Sequence, residues 1–267
     1  KKIRKGLETN LFLFIFVPSK NKGMFTFYEV GGKVRDEILE LESKDVDYVA
    51  VPSENLLDGI TDAESMFGVL SGYLKLRNFQ IFLETPDCFT IRAKFPDGHK
   101  YSGVADFVMA RKEIGYKPGT RQPLVVPGTL FDDLQRRDFT LNALAKDEDG
   151  NIIDFFNGIG DLKNGILKTP VDCKITFDDD PLRILRAIRF SITKGFRVTP
   201  YMDGVMQDYD YETKMGVVSV ERIREELYKC FKHNTVQTLR VLHEFPALRN
   251  YIFKENILWL KPTLETK

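Results

Sequence analysis

Apolar and polar positions alternate with a period of two over several short stretches in the first two-thirds of the chain. They recur at helical spacing in the last third. FTFYEV (25–30) reads as a strand, broken by Gly31-Gly32 and followed by a short helix over 33–41. VDYVAV (46–51) is a second strand, and 62–76 has helical periodicity. Further strands are expected at 79–83, 88–94 and 104–110. A Gly/Pro-rich loop follows from Gly115 to Gly128, then a helix from about Asp132 to Lys146 and a turn at Asp149-Gly150. From Asp178 onward the pattern is helical: about 179–194, 202–213, 219–232 and 234–244. Strands mixed with helices, then helices alone, predict an α+β fold. Its mixed-sheet head would occupy residues 1–165, with a helical neck and the start of a body over 166–267.

Composition narrows the class. Of the 267 residues, 43% are hydrophobic, with 21 Phe and 10 Tyr, so a packed core is expected and wholesale disorder is not. The formal net charge is zero, which excludes a protein that coats polyanions indiscriminately but allows a local basic site. Cys88, Cys173 and Cys230 form no close pair, and the three histidines have no metal-ligand spacing. The expectation is a reduced, cytoplasmic chain with neither disulfides nor a zinc site. Leu11 to Val17 is an apolar run of only seven residues, too short to span a bilayer. It reads as a buried strand or helix segment, with no membrane partner.

Carboxylates give the first candidate chemistry. On a strand, Asp45 and Asp47 point to one face, where two crowded negative charges repel unless a cation lies between them. Phosphoryl transfer with two metals needs this arrangement. Asp106 shares the parity of Val104 and Val108 on another strand. A lone carboxylate in an apolar strand must be paired or metal-bound, which makes it the candidate third acid. Alone, a D-x-D pair also describes two ordinary surface acids.

Other segments supply candidate anion contacts. Gly31-Gly32 joins a strand to a helix, offering free backbone N–H groups to a phosphate, although ordinary turns look the same. Arg35 lies on the first turn of that helix. QRRDFTLNALA (135–145) combines a stripe of Leu134, Leu141, Leu144 and Ala145 with Arg136, Arg137, Asp138 and Asn142, suited to phosphate and ribose hydroxyl contacts. A plain amphipathic helix explains the same spacing. In DPLRILRAIRF (180–190), Asp180, Arg183, Arg186 and Arg189 recur every three residues. With a single acid on that spiral, an anionic partner is one reading and a solvated charged face the other. Asp180 as acceptor and Arg183 as donor complement the Watson–Crick edge of C or A and mismatch U and G.

Taken together, VGGKVRD (30–36), KDVDYV (44–49), RRDFTLNALA (136–145), IIDFFNGIGDLKNGIL (152–167), DPLRILRAIRF (180–190) and ERIREEL (221–227) resemble the class II tRNA nucleotidyltransferase and bacterial poly(A) polymerase family. They span residues 28–232 in matching order. The resemblance implies a polymerase β-like nucleotidyltransferase head followed by a helical neck. It implies magnesium, as two ions, on Asp45 and Asp47, with Asp106 where the family often has its third acid. Gly32, Arg35 and Arg137 would hold the triphosphate and sugar. Asp180 and Arg183 would act as a protein template, with Arg186 and Arg189 nearby. The implied substrates are CTP and ATP, joined to the 3′ end of a tRNA or other RNA. The implied activity is CCA addition with release of pyrophosphate. Poly(A) synthesis, partial CC or A addition, and a non-catalytic RNA-binding relative are the alternatives. The chain departs from the family in having Asp179-Asp180 for the usual Glu-Asp, and Lys168 for the usual Arg.

Overall fold

The computed structural model describes residues 23–42, 46–117, 119–120 and 122–254. The Leu11–Val17 run and Asp45 therefore lie outside the described residues. The chain opens with β1 (Phe25–Val30), α1 (Gly32–Ile38) and β2 (Asp47–Pro52), close to the periodicity reading. A short α2 (Glu54–Gly59) precedes α3 (Ala63–Leu76), whose start is fixed by the Asp62 carboxylate accepting from the Ser65 N–H at 2.7 Å. Then come β3 (Gln80–Thr85), β4 (Thr90–Lys94) and β5 (Val104–Met109).

The expected Gly115–Gly128 loop is instead a hairpin, β6 (Arg111–Tyr116) with β7 (Pro123–Pro127). Pro123 and Pro127 sit at the two ends of β7, where a missing N–H costs least. The expected helix over 132–146 is also corrected. A capping box between Thr129 and Asp132 starts α4 (Leu130–Gln135), which ends before the arginine pair. A single tight turn at Thr140–Asn142 leads into β8 (Leu144–Lys146). The break is held by tertiary bonds. The Thr140 N–H donates to the Lys168 carbonyl at 2.8 Å, and its hydroxyl to Asp161 at 2.7 Å.

After β9 (Ile152–Asp154), α5 (Gly158–Lys163) packs so tightly that a Cβ at Gly158 would lie 2.2 Å from the Thr140 carbonyl oxygen. The two-residue β10 (Ile166–Leu167) precedes α6 (Cys173–Asp179) and α7 (Leu182–Lys194), separated by Asp180-Pro181. A residue before proline avoids the helical region, and Asp180 is accordingly extended at φ −148° and ψ 96°. This splits the single helix expected over 179–194. The remainder is β11 (Arg197–Val198), α8 (Pro200–Gln207), α9 (Tyr211–Lys214), α10 (Val220–His233), α11 (Thr235–Glu244) and α12 (Pro246–Lys254).

Seven strands form one sheet in the order β3-β4-β5-β2-β1-β8-β9. Its β2–β5 pair is parallel and the other pairs are antiparallel. One face packs Tyr48, Ala50, Phe107 and Met109 against Met66, Leu70 and Leu74 of α3. The other packs Val30, Val49 and Ala145 against Leu130 and Leu134 of α4. The helical region is built around α7, which buries Leu182, Ile184, Leu185, Ala187, Ile188, Phe190 and Ile192. That core reaches back to Phe139, Leu141 and Leu162. No described helix is long and apolar enough to cross a membrane.

Candidate nucleotidyl-transfer site

Asp47 is the first residue of β2, half-buried, on the face that continues into Val49. Register surrounds it with the other candidates. Across β1 it faces Val30, the residue before Gly31-Gly32. Across parallel β5 it faces Asp106. Two carboxylates thus stand side by side on one sheet face, at the edge where the glycine turn begins. Asp106 is also paired. Arg92, its partner in register on β4, donates from Nε and Nη2 to its two oxygens, each at 2.7 Å. Sequence reasoning missed Arg92, although the alternation of TIRAK placed it on that face. Among the described residues, no group of three or more His, Cys, Asp and Glu side chains is arranged to hold a metal.

The glycine turn faces guanidinium groups. Gly31 has φ +71°, and a Cβ there would lie 3.0 Å from Nη1 of Arg137. A Cβ at Gly32 would lie 3.5 Å from Nη2 of Arg35. The expectation of free N–H groups is corrected at Gly31, whose N–H donates to the Leu144 carbonyl at 3.3 Å. We expect Gly31→Ala to raise KM for the nucleoside triphosphate several-fold. It should also cost about 1–2 kcal/mol, because alanine strains the left-handed backbone and crowds Arg137. Steady-state kinetics and thermal melts of the variant check both effects, and an unchanged KM would remove the turn from the site.

Behind the turn lies a polar core. Arg35 is buried. It donates to Asp36 from Nε at 2.9 Å and to Asn142 Oδ1 from Nη1 at 2.6 Å, and stacks over Phe190. Asn142 donates in turn to Asp138 Oδ1 at 2.9 Å. Asp138 Oδ2 receives Nε and Nη2 of Arg186 at 2.9 and 2.6 Å. Asp138 and Asn142 are thereby joined to α1 and α7 rather than presented openly to solvent. Burial opposes ionisation of Asp138, but the Arg186 charge and the hydrogen bonds from Asn142 and Arg186 outweigh it and hold its pKa below the usual carboxylate range.

A buried acid also escaped the sequence reading. Asp133 is completely buried and takes hydrogen bonds from Arg136 and, at 2.9 Å, from Arg137 Nη2. Its pKa is likewise lowered, with the two arginine charges overcoming burial. Its signal was present in the three- and four-residue spacing from Asp133 to the two arginines. This grip leaves Nε of Arg137 buried with no hydrogen-bond partner.

Asp180 accepts at 3.0 Å from the N–H of Leu182, the first residue of α7. Arg183 donates from Nη2 to the main-chain carbonyl of Arg136 at 2.7 Å. This connects the start of α7 with the arginine pair beside the glycine turn. The spiral of arginines has more acids beside it than the single one expected from the sequence. Arg186 pairs with Asp138, and Glu226 of α10 lies 3.8 Å from Arg186 and bonds Arg189. At the end of α6, burial pushes Asp179 up, reinforced by the Glu113, Asp178 and Asp180 charges and opposed by Arg183.

In short, carboxylates stand at one edge of the glycine turn and guanidiniums at the other. A donor–acceptor helix start is tied to the guanidinium side. A curated relative from Nitrosomonas eutropha, called a multifunctional CCA protein, is 33% identical over 240 residues, covering 88% of this chain and 51% of the relative. The Bacillus stearothermophilus CCA-adding enzyme in complex with CTP superposes with a TM-score of 0.65 at 25% identity, over 84% of this chain and 49% of that one. The Thermotoga maritima CCA-adding enzyme complexed with tRNA gives 0.64 at 26% identity, over 86% and 48%. The chain therefore spans about half the length of these relatives. Residues 27–168, more than half of the chain, match the family described as the poly A polymerase head domain, and the chain belongs to that family.

Proposed function

We propose that the chain is the catalytic and base-selecting part of a template-independent RNA nucleotidyltransferase that adds CMP and AMP to the 3′ end of tRNA, releasing pyrophosphate. The observation that carries this reading is the register that sets Asp47 beside Asp106 at the start of the Gly31-Gly32 turn, with Arg137 against that turn. Adjacent oxygen donors, with no Cys or His among them, fit Mg2+. Asp47, with Asp106 beside it in register, would hold it together with Asp45. When bound it supplies the positive charge that makes the RNA 3′-hydroxyl a better nucleophile and offsets charge on the triphosphate.

The protein's own groups do the rest. Arg137, with Nε still unpaired, and Arg35 face the turn where the triphosphate and sugar would lie, next to Gly32. Asp138 and Asn142 hold Arg35 and Arg186 in place. Asp180 accepts from the exocyclic amine of C or A, and Arg183 donates to the ring nitrogen. Arg186 and Arg189 fix α7 through Asp138 and Glu226. The proposed division at residue 165 then separates chemistry in the head from base reading in the neck. Three free cysteines, two of them buried, agree with a reducing cytoplasm.

Names of the relatives support CCA addition, while the description of the family supports ATP-only tailing as the second reading. Extension of a tRNA primer with CTP, ATP, UTP and GTP separately distinguishes them. Long tails from ATP alone would defeat the CCA reading, and no incorporation at all would favour a non-catalytic RNA-binding relative. Arg183→Ala should relax base choice by about 1–3 kcal/mol while changing triphosphate affinity less. Base selectivity equal to that of the parent would refute the template role.

A further inference from the structure

The face of the sheet opposite Asp47 carries a cavity of about 260 Å3 that the proposed chemistry does not use. Strand alternation puts it there, because Glu29, Tyr48 and Phe107 alternate in register with Val30, Asp47 and Asp106. Aromatic rings of Phe79, Phe95 and Tyr101 line it. Phe95 is buried, Phe79 and Tyr101 are half-buried, and exposed His99 stacks on Phe95 with ring centres 4.9 Å apart. At its floor lies the buried carboxylate of Glu29, which accepts from the Tyr48 hydroxyl at 3.1 Å and pairs with Lys146 at 2.7 Å. A carboxylate has about four acceptor positions, so these two partners leave it able to take another donor.

Charge selects the ligand class. Glu29, Asp147 and Glu148 around the cavity disfavour an anion, while Lys146, Lys100 and Arg77 disfavour a cation. Aromatic walls favour a flat ring, and the floor carboxylate favours a ring bearing an N–H donor. We infer that this cavity is a second, non-catalytic site for a neutral aminopurine base, supplied by a free nucleoside or by an unpaired RNA residue. Its preference should run opposite to that of the triphosphate site, because the balanced charges around the cavity give added phosphates no net attraction to offset their desolvation.

Titration of the full chain with adenosine, ATP and an adenosine trinucleotide, followed by saturation-transfer NMR and calorimetry, tests this inference. Adenosine should bind saturably and more tightly than ATP binds an Arg137→Ala variant. That binding should survive Arg137→Ala and weaken roughly tenfold in both Tyr101→Ala and the exposed His99→Ala, through loss of stacking. Circular dichroism establishes that the two ring variants stay folded. Tighter trinucleotide than adenosine binding would identify RNA as the source of the base, and equal binding would identify the free nucleoside. The site is refuted if adenosine shows no saturable binding, if Arg137→Ala abolishes it, or if both folded ring variants bind like the parent.

Discussion

Replacing Asp47 with alanine is expected to lower incorporation of both CTP and ATP by about 10³-fold or more while leaving the fold intact. The carboxylate opens β2 at the end of the sheet, half-buried and next to Asp106 in register, so it contributes charge to the site and little to the apolar core. Metal-ion charge stabilisation is worth several kcal/mol in such reactions, and each 1.36 kcal/mol is tenfold in rate. The loss should fall on the chemical step, with both nucleotides affected alike, since Asp180 and Arg183 belong to the start of the α7 region and not to β2. Removing one of two neighbouring like charges also relieves repulsion, which is why folding should be retained. Single-turnover incorporation into labelled RNA, with circular dichroism as the folding control, measures this. A folded variant within about tenfold of the parent rate would take Asp47 out of the catalytic role.

Residues whose neighbours are set by period alone could be read from the sequence. Strand alternation placed Asp47 on the face of Val49, and pairing with β5 then brought Asp106 beside it. The glycine turn was legible because only a conformation open to glycine ends β1 so abruptly. The segment after Asp132 misled for a physical reason. Leu134, Leu141 and Leu144 are spaced for a helix, but their side chains go to different places. Leu134 packs on the sheet and Leu141 in the helical core. Hydrogen bonds from Thr140 to Lys168 and Asp161 outweigh local propensity there. The arginine partners were hidden by distance along the chain. Asp138 and Glu226 reach α7 from outside its own spiral, so counting charges within one helix left Arg186 and Arg189 with too few acids. The β6–β7 hairpin was obscured by its glycines and prolines, which concentrate near its turn and strand ends and masked the alternation between them.

Asp138→Ala should be the most damaging change for stability, at about 3–5 kcal/mol. One carboxylate there, only 10% exposed, accepts from the Phe139 N–H, Asn142 and both reachable nitrogens of Arg186. Its removal leaves Arg186 with Glu226 at 3.8 Å, too far for a hydrogen bond, and leaves the Asn142 amide unbonded on that side. Arg35, held by Asn142, then loses its register beside the glycine turn, so nucleotide affinity should fall along with stability. Protonation offers a reversible version of the same cut. Because the folded-state pKa of Asp138 lies below its ordinary value of 3.8, its contribution is fully present above that value. It is lost as pH falls from there through the lowered pKa. Asp133 has the same sign and adds to the effect. Melting temperature of the parent should therefore drop steeply below about pH 4, and that of Asp138→Ala should start lower and fall less steeply. Asp138→Asn, which keeps an acceptor without the charge, should lie between the two at neutral pH. Denaturant unfolding of the three proteins at several pH values decides the matter. A variant within about 1 kcal/mol of the parent at neutral pH would show that the Asn142–Asp138–Arg186 chain does not hold the site together.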